Sequence, residues 1–536
     1  MTEAPQATTE WWKTAVIYQI YPRSFQDSNG DGVGDLNGIR RRFPYLAGLG
    51  VDAIWVSPFY TSPMADFGYD VADYYDVDLL FGTLADCKSL IAEAHALRLK
   101  VILDFVPNHT SEQHPWFIES RSSRQNPKRD WYIWKDAKPG AGPPNNWISH
   151  FGGSAWDWDE ASGQYYYHAY LKEQPDLNWR NPEVRAAMHD VLRFWLDLGV
   201  DGFRVDVIWH LMKDAEFRDN PPNLDHRPGQ PEIDRFHQVH SADQSGVHEI
   251  IEEMRTVVDA YKQRVLIGEI YLPLDRLMDY YGRDLKGAHL PFNFQLLQAP
   301  WKADAIARLV EEYEAALPEG AWPNWVLGNH DRPRIATRVG PEQARVAAVL
   351  LLTLRGTPTL YYGDEIGMAD VPIPSDQIKD PWALREPGIG VGRDPVRTPM
   401  QWDRSPHAGF TTARPWLPLA DNWAEQNVES LALQPFSILS LYRRLLALRR
   451  TYRALRIGQY ETLTCHDDVF GFARSSGQEK LIMLLNFSRE RRTVSFESAV
   501  PTTVLLSTVR DRSGETVGSE FTLDPNEAVI SATPDP

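Results

Sequence analysis

The chain has 536 residues, with 55 Lys and Arg against 73 Asp and Glu and a formal charge of −18. That acidity argues against nucleic acid or an anionic membrane as partner. The length implies about three domains, or one large domain with appendages, and the 43% hydrophobic content can supply a large core.

The opening MTEAPQATTEWWK has no basic start and no apolar core, so no secretory signal is expected, and no run of about 18 apolar residues marks a membrane span. Cys87 and Cys465 read as ordinary thiols rather than a disulfide framework, which makes cytoplasmic the expected location. Aromatic residues are abundant (19 Trp, 22 Tyr, 21 Phe), which suits either a core of large side chains or faces on which sugars stack.

Short apolar strands alternate with amphipathic helices along most of the chain. Strands are expected at 15–22, 51–58, 100–109, 200–207, 264–271, 324–331 and 357–365, with a weaker one at 289–297. Between the third and fourth, 181–198 predicts a helix. Pro182 lies near its first turn, Val184, Met188, Val191, Leu192, Trp195 and Leu196 form one apolar face, and Gly199 stops it. Eight strand–helix units imply an α/β fold, a (β/α)8 TIM barrel. Two polar segments break the rhythm, at about 110–177 and about 370–425, and after a helix near 435–452 the pattern turns to short alternating runs. The expected domains are residues 1–107 (first part of the barrel), 108–177 (a subdomain inserted after strand 3) and 178–455 (the rest of the barrel, with the insertion near 370–425 after strand 8). Residues 456–536 form a C-terminal antiparallel β-sandwich.

Four of these strands end in charged or polar groups: Asp104 and His109, Arg204 and Asp206, Glu269, and His330 and Asp331. In a barrel the C-terminal strand ends face one mouth, so these distant residues converge. Several carboxylates with an arginine and two histidines, and no serine elbow, zinc spacing or phosphate loop, suit glycoside hydrolysis. One carboxylate attacks the anomeric carbon, and a second must be protonated to release the leaving oxygen. Arg204, two residues before Asp206, shares its strand face and is expected to keep it ionised. Glu269, after an apolar run, suits the proton donor, and Asp331 is left to grip substrate hydroxyls.

The stretches DFVPNH (104–109), DGFRVD (201–206), GEIY (268–271) and LGNHD (327–331) resemble the four signature regions of the α-amylase family, glycoside hydrolase family 13. Residues 16–39, QPDLNW (174–179), GRDPVRTPMQW (392–402) and GEIYLPLDRLMDYYG (268–282) narrow the likeness to its bacterial exo-acting α-glucosidase and oligo-α-glucosidase branch. The resemblance implies a retaining double displacement, with Asp206 as nucleophile, Glu269 as acid/base and Asp331 as transition-state stabiliser. It implies that Asp66, Tyr69, His109, Arg204, His330 and Arg393 surround the glucose, with Phe151 and Tyr170 lining the pocket and Arg397 in a supporting place. Tyr170 stands where relatives carry phenylalanine.

The stretch DSNGDGVGD (27–35) has the alternate Asp27, Asn29, Asp31 spacing of a calcium loop, although Gly38 stands where an EF-hand has glutamate; by itself it reads equally as a turn. The resemblance implies a structural Ca2+ or Mg2+ held by Asp27, Asn29, Asp31, the Val33 carbonyl and Asp35, and no organic cofactor. In the oligo-1,6-glucosidase branch, valine after the nucleophile accompanies α-1,6 linkages, and here the residue is Val207. The expected partners are a small oligosaccharide or α-glucoside and a sugar or alcohol acceptor, with no nucleic acid and no membrane, for a monomer or homodimer. Trehalose synthase, sucrose-active glucosyltransferase and a non-catalytic sugar-binding member of the family remain open alternatives.

Overall fold

The computed structural model describes residues 10–140, 142–495 and 501–533. Eight strands form one parallel sheet: β1 (Ile17–Ile20), β2 (Ala53–Val56), β3 (Lys100–Phe105), β4 (Gly202–Val205), β5 (Val265–Gly268), β6 (Leu290–Pro291), β7 (Asn324–Val326) and β8 (Thr357–Tyr361). Their order, β6-β5-β4-β3-β2-β1-β8-β7, is that of a (β/α)8 barrel opened at one seam. At that seam the Asn324 side chain bridges β6 and β7, its Oδ1 accepting from Asn293 N and its Nδ2 donating to the Pro291 carbonyl. The expected strand at 289–297 is therefore only two residues long. The chain turns into a short helix, Gln295–Gln298, and a side chain replaces the missing ladder.

The strands are apolar on both faces because both are covered. Ile17, Ala53, Trp55, Ile102, Val265, Ile267 and Val326 fill the barrel interior. Their alternates, among them Tyr18, Ile54, Val101, Leu103 and Phe203, pack outward in the main core with the helices. The helix Pro182–Asp197 buries the expected six residues. Asn181 caps it by accepting from Glu183 N, and Gly199 follows it at φ +102°.

Between β3 and that helix lie a helix, Pro115–Ser122, and a three-stranded antiparallel sheet with Gln164–Tyr167 at its centre. The segment after β8 carries only short helical turns, including Pro381–Arg385. The C-terminal strands form a six-stranded antiparallel sheet and a two-stranded one, packed on a core that includes Val469, Leu484, Val494, Leu523 and Val529. Cys87 is buried, Cys465 is exposed and both are free. Among the described residues no helix is long and apolar enough to cross a membrane. The leader-free reading of the N-terminus concerns mainly residues 1–9, which lie outside the described residues.

Candidate active site

Strand register brings the polar residues together. Asp104 on β3 pairs with Arg204 on β4, and Arg204 pairs with Ile267 on β5, two residues before Glu269. All therefore share the inward parity of Ile102 and Ile267. At the barrel mouth they meet His109, His330 and Asp331 around a cavity of about 180 Å3. That is below the roughly 300–1,000 Å3 of pockets for drug-sized ligands.

Arg204 is wholly buried and serves three carboxylates. Its Nη1 donates to Asp206 Oδ1 at 2.7 Å and to Asp104 Oδ1 at 2.8 Å. Its Nη2 lies 2.7 Å from Glu269 Oε2, off the line of a hydrogen bond. Arg204 thus serves Asp206 as expected, and Asp104 and Glu269 as well. Both carboxyls are deeply buried, Asp206 6% exposed and Glu269 4%. Burial pushes both carboxyls up, and Arg204 opposes the shift in each. Asp104 is pushed up to about 6 by the same burial. One guanidinium serving three buried carboxylates disfavours the state in which all three are ionised. The directed hydrogen bonds from Arg204 go to Asp206 and Asp104, which favours their anionic forms. Glu269 Oε2 accepts from Val207 N at 2.9 Å, which leaves Oε1 as the place for a proton.

That Val207 N–H is aimed by strain. Val207 has φ +37° and ψ +47°, a left-handed conformation that β-branched residues avoid at a cost of about 1–3 kcal/mol. The twist ends β4 and swings the chain into the turn Ile208–His210.

Asp331 is gripped by arginines. Arg397 Nη2 donates to its Oδ1 at 2.8 Å, Arg397 Nε donates to the His330 carbonyl, and Arg393 Nη1 stands 3.5 Å from the same Oδ1. Burial raises the Asp331 carboxyl, yet the surrounding charges outweigh it and hold it well below the usual carboxylate range. Burial pushes His330 down to about 3, so the imidazole is neutral at ordinary pH but charged where Asp331 titrates, and it lowers the Asp331 carboxyl ahead of the arginines. His109 is likewise pushed down to about 4. Tyr69 Oη lies 3.0 Å from Asp104 Oδ2 and 2.7 Å from His330 Nε2, while Gln19 Nε2 meets His330 Nδ1 at 2.7 Å.

The inner end of the cavity is closed. Arg393 Nη2 donates to Asp66 Oδ1 and to Asp380 Oδ1, both at 2.7 Å. Phe151 lies 4.9 Å beneath the Arg393 guanidinium and packs edge-on against Tyr170. Of the residues expected around the substrate, Asp66, Tyr69, His109, Phe151, Tyr170, Val207, His330 and Arg393 line the cavity, with Asp206, Glu269 and Asp331. Arg204 and Arg397 lie behind that lining. Sequence reasoning missed five lining residues: His150, Trp209, Tyr271, Arg332 and Trp382. It also missed Asp380, which holds Arg393. Tyr271 and Arg332 were within reach, since Tyr271 ends the stretch GEIY (268–271) and Arg332 directly follows Asp331; Trp382 and Asp380 enter only through the fold.

The loop 27–35 folds on itself. Asp27 Oδ1 accepts from Asn29 N and Gly30 N, Asp31 Oδ1 accepts from Val33 N, and Asp35 accepts from Ser28 and from Gly38 N. The donor set is all oxygen, which suits a hard cation. Asp35 has both oxygens engaged, and among the described residues no three His, Cys, Asp or Glu side chains converge as a metal group.

A nearly closed barrel of eight parallel strands with acidic residues gathered at its C-terminal mouth defines the class, a barrel glycoside hydrolase. Residues 19–458 match the α-amylase catalytic domain, and the chain belongs to that family. It is 44% identical over 501 residues to the "Probable alpha-glucosidase" of Rhizobium meliloti (strain 1021), covering 90% of each chain. It is 39% identical over 519 residues to the oligo-1,6-glucosidase of Parageobacillus thermoglucosidasius, covering 90% and 91%. The crystal structure of an α-glucosyl transfer enzyme superposes with a TM-score of 0.93 at 40% identity, over 98% of this chain and 100% of the other.

Proposed function

We propose that this protein is a retaining exo-α-glucosidase that releases glucose from the non-reducing end of small α-glucosides and also transfers glucose to acceptors. The observation that carries this reading is the small cavity with Asp66 and Arg393 in its lining, tied to each other and to Asp380 behind them, which supports a site for a chain end. A chain end fits such a site; the middle of a polymer does not.

In this mechanism Asp206 attacks the anomeric carbon in its anionic form, which the hydrogen bond from Arg204 favours against burial, while protonated Glu269 gives its proton to the leaving oxygen. The β-glucosyl enzyme is then resolved when Glu269 takes a proton from water or an acceptor hydroxyl. Asp331, kept anionic by Arg397 and Arg393, holds ring hydroxyls as the sugar distorts. Transfer is supported by the likeness to the α-glucosyl transfer enzyme. Val207 beside the nucleophile favours tolerance of α-1,6 linkages. The loop 27–35 is proposed to hold a structural Ca2+ or Mg2+ through Asp27, Asn29, Asp31, the Val33 carbonyl and Asp35, which would tie down the first barrel loop.

Product analysis tests the reading. Maltose at low concentration should give glucose, and at high concentration trisaccharide should accumulate. Inactivity on both maltose and isomaltose would refute it.

A further inference from the structure

Arg332 is the cation of this site with no assigned role. It lines the cavity, one residue after Asp331, and a tight bridge between Asn329 and Arg332 turns it inward. Arg204, Arg393 and Arg397 each hold carboxylates. Arg332 is held by Tyr271, whose side chain it hydrogen-bonds, with Asp331 and Glu269 acting on its charge from nearby. Its guanidinium lies over the Tyr271 ring, 5.0 Å from the centroid. That ring is a fixed platform: Asn329 Nδ2 donates to Tyr271 Oη at 3.2 Å, and Phe294 and Trp209 pack against it at 4.5 Å and 5.8 Å.

Position sets the role. Asp66, Tyr69 and His109 at the closed end are buried, whereas Arg332 and Tyr271 are partly exposed. They therefore stand on the open side of the carboxylates, where a leaving group departs and an acceptor enters. A guanidinium carries five N–H donors, so the bond to Tyr271 leaves others for ligand, in a fork spaced for two neighbouring oxygens. We infer that Arg332, seated on Tyr271, is a specificity-determining residue that grips vicinal hydroxyls of the leaving sugar and, in transfer, of the acceptor sugar. This inference rests on the α-glucosidase reading and deepens it.

The test compares a sugar leaving group with an aryl one that has no hydroxyls to grip. In Arg332→Ala, the ratio of kcat/KM on maltose to kcat/KM on p-nitrophenyl α-glucoside should fall by about tenfold or more, the range for losing a hydrogen bond to a charged group. Trisaccharide formation from maltose should fall relative to hydrolysis, and Arg332→Lys should recover only part of the ratio, since a point charge lacks the fork. An unchanged ratio, whether both substrates suffer equally or neither does, overturns the inference. Failure of the underlying reading looks different, because the unsubstituted enzyme then turns over neither substrate.

Discussion

Arg397 is wholly buried, and replacing it by methionine isolates what holds Asp331 in place. The variant keeps the volume of the side chain but loses two hydrogen bonds, to Asp331 Oδ1 and to the His330 carbonyl, both 2.8 Å. Charge-assisted bonds contribute about 1.5–3 kcal/mol each. Methionine also escapes the penalty of burying a guanidinium, so the net loss of stability should be about 2–4 kcal/mol. For a domain this large, that lowers Tm by only a few degrees. If the bond to Asp331 persists in the transition state, kcat/KM on maltose should fall by about 10- to 150-fold. The pH dependence has a definite sign. The Asp331 carboxyl is held below its ordinary value, so its contribution to stability is complete above about pH 4 and drains as pH falls further. In Arg397→Met the carboxyl rises towards its ordinary value. The acid limb of the activity profile should move to higher pH, and the stability difference between the two proteins should shrink in acid. Maltose kinetics across the acid range and thermal unfolding of both proteins provide the assay. A lower Tm with unchanged kcat/KM and an unmoved acid limb would show that Arg397 is only structural.

Two further predictions follow from other parts of the molecule. Val207→Thr exchanges a methyl for a hydroxyl beside the nucleophile and should shift the maltose-to-isomaltose ratio of kcat/KM towards maltose by up to about tenfold, within the range of pocket effects of this size; equal ratios would remove Val207 from the linkage question. Chelation with EDTA should lower Tm, and Ca2+ or Mg2+ should restore it; an unmoved Tm would contradict the proposed cation in the 27–35 loop.

Much of the fold was legible because its signals are local. The apolar runs of the barrel strands and the spacing Val184, Met188, Val191, Leu192, Trp195, Leu196 follow from burial on known periods. Convergence of Asp206, Glu269 and Asp331 was legible too, because barrel topology brings strand ends together whatever the loops do. What escaped was set by contacts between loops distant in sequence. Trp382 and Asp380 reach the site from the segment after β8, and no spacing links them to Phe151 or Arg393. The sharing of Arg204 among Asp104, Asp206 and Glu269 also escaped, because it depends on the register of β3, β4 and β5 rather than on the two-residue step from Arg204 to Asp206. The strained φ of Val207 has no sequence signal, since glycine or asparagine is the residue such a turn selects.

The central claim is that Asp206 is the nucleophile of a covalent double displacement. 5-Fluoro-α-D-glucosyl fluoride slows breakdown of the glucosyl-enzyme, so brief incubation, proteolysis and mass spectrometry identify the labelled residue. The account predicts one label per chain, on Asp206. A label on Glu269 or Asp331, or turnover with no covalent adduct, would contradict it.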